Sequence, residues 1–272
     1  MKKIALITLA ALLVVSLGCY YADEASEPAT ETYAADLYNR VEIETENGEI
    51  TSSASSDSLI TITLTKWVTG PSAKAHLDDI DVSVSEDTVN GTLSVSVTIP
   101  TSTVRNYGCD ADIELPESLF IDFKTSNGKM RAAGHQNGLR LSSSNGRIDI
   151  AKTAGEADLF TSNGDIGVDR HAGDITGETA NGEVTADVIM PVKDGTCRFI
   201  SSNEPITVAV PDSVSANIYL KTSNGEISVD ADLHTQGDYN SDEDIYESTM
   251  GDASGEIYIE TSNGNVSLKK LE

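Results

Sequence analysis

Aligned on one recurring asparagine, the apolar positions of this chain fall into columns. The asparagine has Thr or Ser two residues before it, usually Gly after it, and an aliphatic residue three positions on. The phrase returns as TENGEI, TSNGKM, SSNGRI, TSNGDI, TANGEV, SSNEPI, TSNGEI and TSNGNV, at Asn47, Asn127, Asn145, Asn163, Asn181, Asn203, Asn224 and Asn263. Six residues before it stand Val41, Ile121, Leu139, Ala157, Ile175, Cys197, Ile218 and Ile257; four before it come Ile43, Phe123, Leu141, Leu159, Gly177, Phe199, Leu220 and Ile259. Three residues after it come Ile50, Met130, Ile148, Ile166, Val184, Ile206, Ile227 and Val266. Columns two residues apart have the period of a strand with one face buried.

Each repeat therefore reads as strand, Asn-Gly bend, strand, and a second bend often marked by Gly (Gly155, Gly173, Gly195, Gly255). The glycine after Asn is expected to supply a positive φ for the reversal. Between Asn127 and Asn181 the spacing is 18 residues each time. Strand pieces this short, at so constant a spacing, fit stacked coils better than a run of independent hairpins. The expected fold is all-β, a single-stranded β-solenoid (β-helix) in which equivalent residues stack about 4.8 Å apart. Asn127, Asn145, Asn163, Asn181, Asn203, Asn224 and Asn263 would then form a hydrogen-bonded turn ladder.

The flanking regions break the repeat. Lys2 and Lys3, the apolar stretch Ile4–Leu17 and Gly18-Cys19 read as a secretory signal over 1–18, too short for a spanning helix of about 20 residues. Cys19 after a small residue resembles a bacterial lipobox, although Ser16 stands where Leu is usual. Residues 19–38, rich in Ala, Glu, Thr and Asp, are expected to be a flexible tether. Over 39–118 the first repeat is followed by alternating strands at Leu59–Thr65, Ile80–Ser85 and Thr92–Ile99, with a hairpin turn at Asp87–Gly91 and a helical turn near Pro71–Leu77. These strands are expected to cap the regular solenoid of 119–230 antiparallel to one another. An acidic excursion is expected over 231–256, and a last repeat with its charged tail over 257–272 is expected to close the far end.

The phrases entered through IELPESLFIDFKTSNGKM and closed by GEIYIETSNGNVSLKK resemble the "putative adhesin" family, β-solenoid domains of unknown function in prokaryotic envelope proteins. The resemblance covers about residues 39–270. It implies a surface or envelope setting, and it carries no catalytic residues to transfer.

Charge narrows the role. The chain has 44 acidic and 18 basic residues, a net −26, which excludes phosphate-backbone recognition of nucleic acid and electrostatic docking on anionic lipid. Catalytic candidates are thin. Asp165, Asp169 and Asp174, with Arg170 and His171, could suggest a polysaccharide-active β-helix enzyme, but their spacing follows bends and outward positions, so they read as solvated surface. Asp238–Asp244 imitates the start of a calcium loop without its sixth-position Gly. His76, His135, His171 and His234 lack metal-ligand spacing. An outward Thr ladder, as on an ice-binding face, is excluded because Thr125, Ser143, Thr161, Thr179, Ser201, Thr222 and Thr261 share the parity of the core. Cys197 sits in an aliphatic column and reads as core; Cys109 lies outside the columns, and a disulfide between the two is not expected.

The expectation is a non-enzymatic protein with no cofactor, anchored by lipid on Cys19 to the outer face of the cell membrane and acting in adhesion or surface binding. The competing readings are an envelope-stress or scaffold component that binds cationic peptides or self-assembles, and the polysaccharide enzyme.

Overall fold

The computed structural model describes residues 23–190, 194–240 and 244–272, so the expected signal and the lipid-acceptor Cys19 lie outside the described residues. Strand dominates, and helix among the described residues is confined to short 3-10 turns such as Ala73–Asp79. The chain divides into two compact units, 1–129 and 130–272.

The first unit contains β1 (Glu24–Ala34), β2 (Arg40–Thr45), β3 (Ile50–Ser55), β4 (Leu59–Thr69), β5 (Asp81–Asp87), β6 (Thr92–Thr98), β7 (Asn106–Pro116) and β8 (Phe120–Thr125). They form two mixed sheets ordered β1-β4-β7-β3 and β8-β2-β6-β5. Antiparallel pairs β1/β4, β4/β7 and β5/β6 sit beside parallel pairs β3/β7, β2/β6 and β2/β8. The cap is thus not purely antiparallel. Val68, Leu77, Ile80, Val97, Tyr107 and Cys109 share a buried cluster beneath the 3-10 turn.

The tether expectation fails where it can be examined. Glu24–Ala34 pairs along its whole length with β4, from Glu24 opposite Thr69 to Ala34 opposite Leu59. Its polar composition misled because an outer strand packed mainly through backbone hydrogen bonds needs little apolar surface; only Ala25 of β1 is buried. Pro28 is compatible with such a position, since one side of an edge strand needs no N–H donor.

The second unit contains β9 (Met130–Ala133), β10 (Leu139–Ser143), β11 (Ile148–Ala151), β12 (Ala157–Thr161), β13 (Ile166–Ala172), β14 (Ile175–Thr179), β15 (Val184–Ile189) and β16 (Thr196–Ser201). It continues with β17 (Ile206–Val210), β18 (Ala216–Thr222), β19 (Ile227–Val229), β20 (Gln236–Asn240), β21 (Ile245–Met250), β22 (Gly255–Thr261) and β23 (Val266–Lys270). Repeats pair in parallel and in register: Leu141 with Leu159, Leu159 with Gly177, Gly177 with Phe199, and on the second sheet Ile150 with Val168. Every one of these aliphatic and aromatic side chains is buried. Among the described residues no sheet closes into a barrel.

Where Leu159 faces Gly177, the next residue of the column compensates. A Cβ placed on Gly177 would lie 2.5 Å from Cδ1 and Cε1 of Phe199, so the aromatic ring occupies the space a side chain at 177 would need.

Spatial order departs from chain order at the C-terminal side. The last repeat does not close the far end: β22 pairs with both β16 and β18, and β23 with both β17 and β19, so it is inserted between the Asn203 and Asn224 repeats. The outer flank of β18 is covered instead by the β20–β21 hairpin, antiparallel to it. Ile227 and Val229, on the outermost strand of the other sheet, are only half-buried.

Candidate functional site

The Asn-Gly corner is built from two interlocking sets of hydrogen bonds. In the first unit Asn127 Nδ2 donates to Asn47 Oδ1 at 2.5 Å. In the second, each amide donates to its neighbour's Oδ1: Asn163 to Asn145 (2.8 Å), Asn181 to Asn163 (2.7 Å), Asn203 to Asn181 (2.6 Å), Asn263 to Asn203 (3.1 Å) and Asn224 to Asn263 (2.9 Å). Beneath them the hydroxyls two residues earlier bond inward. Thr161 Oγ1 donates to Gly146 O (3.0 Å) and accepts from Gly164 N (3.2 Å), while Thr179 Oγ1 donates to Gly164 O (2.9 Å). The corner glycines are not at positive φ, contrary to expectation. They are small because a Cβ on Gly164 or Gly182 would collide with the carbonyl of the preceding corner, Gly146 or Gly164. Positive φ belongs to second bends such as Gly155 (92°).

His171 corrects the reading of the Asp165–Asp174 cluster as solvated surface. Asp169, Arg170 and Asp174 are exposed, but His171 is fully buried. Its Nε2 lies 3.1 Å from Gly155 O and 3.2 Å from Asp174 O, both pure acceptors, so Nε2 carries the proton and Nδ1 accepts from Thr153 Oγ1 at 2.9 Å. Burial holds its pKa below the usual imidazole value. His135, Thr153 and His171 each stand eight residues after a corner asparagine and are all buried. That offset was visible in the sequence and marks a structural polar column.

The thiols are equally inert. Burial pushes both Cys109 and Cys197 up to about 12, and both are unpaired. Among the described residues no group of His, Cys, Asp or Glu is placed to hold a metal ion. The calcium-like run Asp238–Asp244 lies partly in β20, and its residues 241–243 fall outside the described residues.

Functional chemistry gathers on the outward face of the second unit. Odd offsets before the asparagine point away from the core, and five residues before it stand Arg198, Tyr258 and Tyr219 on neighbouring strands β16, β22 and β18. The tyrosine rings stack with centroids 5.0 Å apart and planes 10° from parallel. The Arg198 guanidinium caps the other side of Tyr258, 4.3 Å from its centroid. Tyr258 also donates to Glu260, which Lys221 holds at 3.3 Å.

Tyr219 opens into a cleft of about 750 Å³ between the Asp194–Thr196 bend and the β20–β21 hairpin. Glu247 lies directly opposite Tyr219 across the strand pair, and Thr249 opposite Asn217. Asp194, Glu247 and Glu256 contribute three exposed carboxylates, none with an ion-pair partner among the described residues. Asn217 spends its Nδ2 on Ala253 O (2.8 Å), which leaves its Oδ1 as an acceptor. Ser248 and Ser254, also at the cleft, have hydroxyls shielded from water and without a hydrogen-bond partner among the described residues. Among the described residues the lining includes no Lys, Arg or His. Sequence reasoning missed this site, although the shared offset of Tyr219, Tyr258 and Arg198 was available to it. A smaller hollow of about 330 Å³ in the first unit is floored by Ile62, Leu64, Val82 and Val95 and rimmed by Glu27, Glu31, Tyr33, Lys66 and Asp78; Tyr33 donates to Glu31, and Lys66 is bound to Ile80 O at 2.6 Å.

No protein-family model matches the chain, and no curated protein does. Among solved structures it is similar to a "putative cell adhesion protein" from Clostridium sporogenes, at 13% identity and a TM-score of 0.37, with 92% of this chain and 100% of that one covered. It is also similar to a "putative adhesin" from Bacteroides fragilis, at 15% identity and a TM-score of 0.37, with 89% and 97% covered. A "putative adhesin" from Parabacteroides distasonis shares 9% identity at a TM-score of 0.30, with 90% and 97% covered.

Proposed function

We propose that this protein is a non-catalytic surface-binding module of the cell envelope, anchored by lipid on Cys19, whose repeats wind as a single-stranded β-solenoid. The parallel, in-register pairing of successive repeats supports the winding, and the signal-like N-terminus supports the address. The observation that carries the binding role is the cleft beside Tyr219: an aromatic wall and three carboxylates that, among the described residues, have neither an ion-pair partner nor a cationic lining residue beside them. The charged groups of this lining are all acceptors, the carboxylates of Asp194, Glu247 and Glu256. The lining suits a ligand rich in donors that is neutral or positively charged, with an apolar face to lie on the ring. A saccharide bearing free amino groups meets all three conditions.

The test is a panel of neutral, amino-bearing and acidic oligosaccharides presented to the purified chain, alongside oligolysine, with Tyr219→Ala and Glu247→Gln as variants. Amino-bearing sugars should bind and acidic ones should not, with each variant weakening binding by roughly tenfold, as loss of about 1.4 kcal/mol implies. Binding of oligolysine alone, with the same sensitivity to the variants, would assign the cleft to a basic protein partner. Binding that ignores both variants would remove the cleft from the function. The anchor is tested separately, by acyl-chain labelling that Cys19→Ser abolishes.

A further inference from the structure

The repeat phrase is built on the dipeptide most prone to losing its amide. In Asn-Gly the glycine nitrogen, unhindered by a side chain, can attack Cγ of the asparagine. A C–N bond forms to give a cyclic imide, the Cγ–Nδ2 bond breaks, and ammonia leaves. Water then opens the imide at either carbonyl, giving aspartate or isoaspartate. The net change is one water consumed and one ammonia released, with no oxidant or catalyst required. The chain contains nine Asn-Gly pairs, at Asn47, Asn90, Asn127, Asn137, Asn145, Asn163, Asn181, Asn224 and Asn263.

The reaction needs two freedoms: an available glycine nitrogen, and an asparagine side chain able to swing its Cγ onto that nitrogen. The Asn145 and Asn163 corners remove both. Gly146 N donates to Ser143 Oγ at 2.8 Å and Gly164 N to Thr161 Oγ1 at 3.2 Å. The side chains they would attack are held by the ladder, since Asn145 Oδ1 accepts from Asn163 and Asn163 Oδ1 from Asn181. Asn137 lies outside the ladder, but its attacking nitrogen is also occupied: Gly138 N donates to Ala154 O at 3.0 Å.

Asn90 differs. It stands in the β5–β6 turn beside Val89, which is 92% exposed, and Gly91 N–H has no partner among the described residues. Its side chain is restrained at one point, Nδ2 donating to Asp87 Oδ2 at 2.6 Å, a bond to the group that leaves rather than to the one that attacks. Gly91 adopts φ 72°, a conformation open to glycine but costly for other residues.

We propose that Asn90 loses its amide in the folded protein, and that the hydroxyls of Ser143 and Thr161 protect Asn145 and Asn163 from the same reaction. The Ser/Thr of the repeat phrase thereby has a chemical role besides its packing. Conversion at Asn90 replaces the Nδ2 bond to Asp87 with a second carboxylate facing it, and so loosens the hairpin turn.

The test is peptide mass spectrometry with isoaspartate detection on the intact chain, incubated folded at mildly alkaline pH and, in parallel, in urea. In the folded chain Asn90 should convert while Asn145 and Asn163 convert about tenfold more slowly or less, since they react only through local opening. In urea the three rates should converge. Ser143→Ala should raise conversion at Asn145, and Thr161→Val at Asn163, with Asn90 unchanged. Hydrogen exchange on the unmodified protein gives a readout that needs no variant: Gly146 and Gly164 N–H should be protected and Gly91 N–H should not. Corner asparagines that convert as fast as Asn90 in the folded chain would overturn the proposal. So would folded variants with unaltered rates, or equal exchange at the three glycines.

Discussion

Phe199 and Gly177 offer a sharp test of the stacked core. They are register partners on β16 and β14, and the Phe199 ring fills the volume left by the missing side chain at 177. Phe199 is fully buried. Phe→Ala changes in cores cost about 3–5 kcal/mol, rising with the volume that stays empty. With no side chain beneath it to relax into the hole, Phe199→Ala belongs near the top of that range. Gly177→Leu alone forces the leucine into the ring and should cost about 2 kcal/mol. Combined, the leucine restores the aliphatic column that Leu141 and Leu159 begin, so the double variant should lose only about 3 kcal/mol where simple addition gives about 7. Urea unfolding followed by far-UV circular dichroism measures this. The single tryptophan, Trp67, lies in the first unit and gives a separate fluorescence signal for it. A cost for Phe199→Ala below about 2 kcal/mol, or additive behaviour of the pair, would refute direct stacking of these positions.

Two further outcomes follow from burial. His171 is held neutral in the fold while the unfolded chain takes up a proton near the usual value of 6.5, so its contribution to stability is intact above that pH and is lost as pH falls below it. Between pH 7 and 5 the unfolding midpoint of the native chain should drop more than that of His171→Gln, and parallel profiles would dismiss the imidazole as the cause. In a chain carrying Cys19→Ser, neither Cys109 nor Cys197 should react with iodoacetamide at pH 8 until urea unfolds the protein, because burial keeps both as thiols; labelling of the folded chain, read by mass, would contradict their placement.

The columns were legible because a parallel stack repeats one environment: whatever suits Leu141 suits Leu159, and the period of two announces which side is buried. The same sameness hid the order of the stack. Ile218 and Ile257 are interchangeable as neighbours of Cys197, so nothing in the columns says that β22 rather than β18 lies against β16. The choice rests on the hairpin β20–β21, whose pairing with β18 covers the flank that a further repeat would use. Glu24–Ala34 was missed for a different reason: a strand held by its backbone writes little into its side chains. His171 was misjudged because charged neighbours on a bulge disguised a residue that turns inward; pairing of β13 with β15 shifts register between Val168 and His171. The cleft was invisible because its walls come from the excursion, whose return path the repeat does not encode.

The insertion of the last repeat has a consequence for how the molecule is made. As the chain emerges from its N-terminal side, repeats through Asn203 can each settle on the one before. The segment carrying β18 to β21 cannot then take its final seat, because the surface it will rest on is supplied by β22 and β23, which appear afterwards. It must wait, tethered and incomplete, until the closing residues arrive and slip between it and the earlier coils. Loss of β22 and β23 would therefore remove one repeat and also set loose the Asn224 repeat with its hairpin, and assembly of this region is deferred until β22 and β23 have been made.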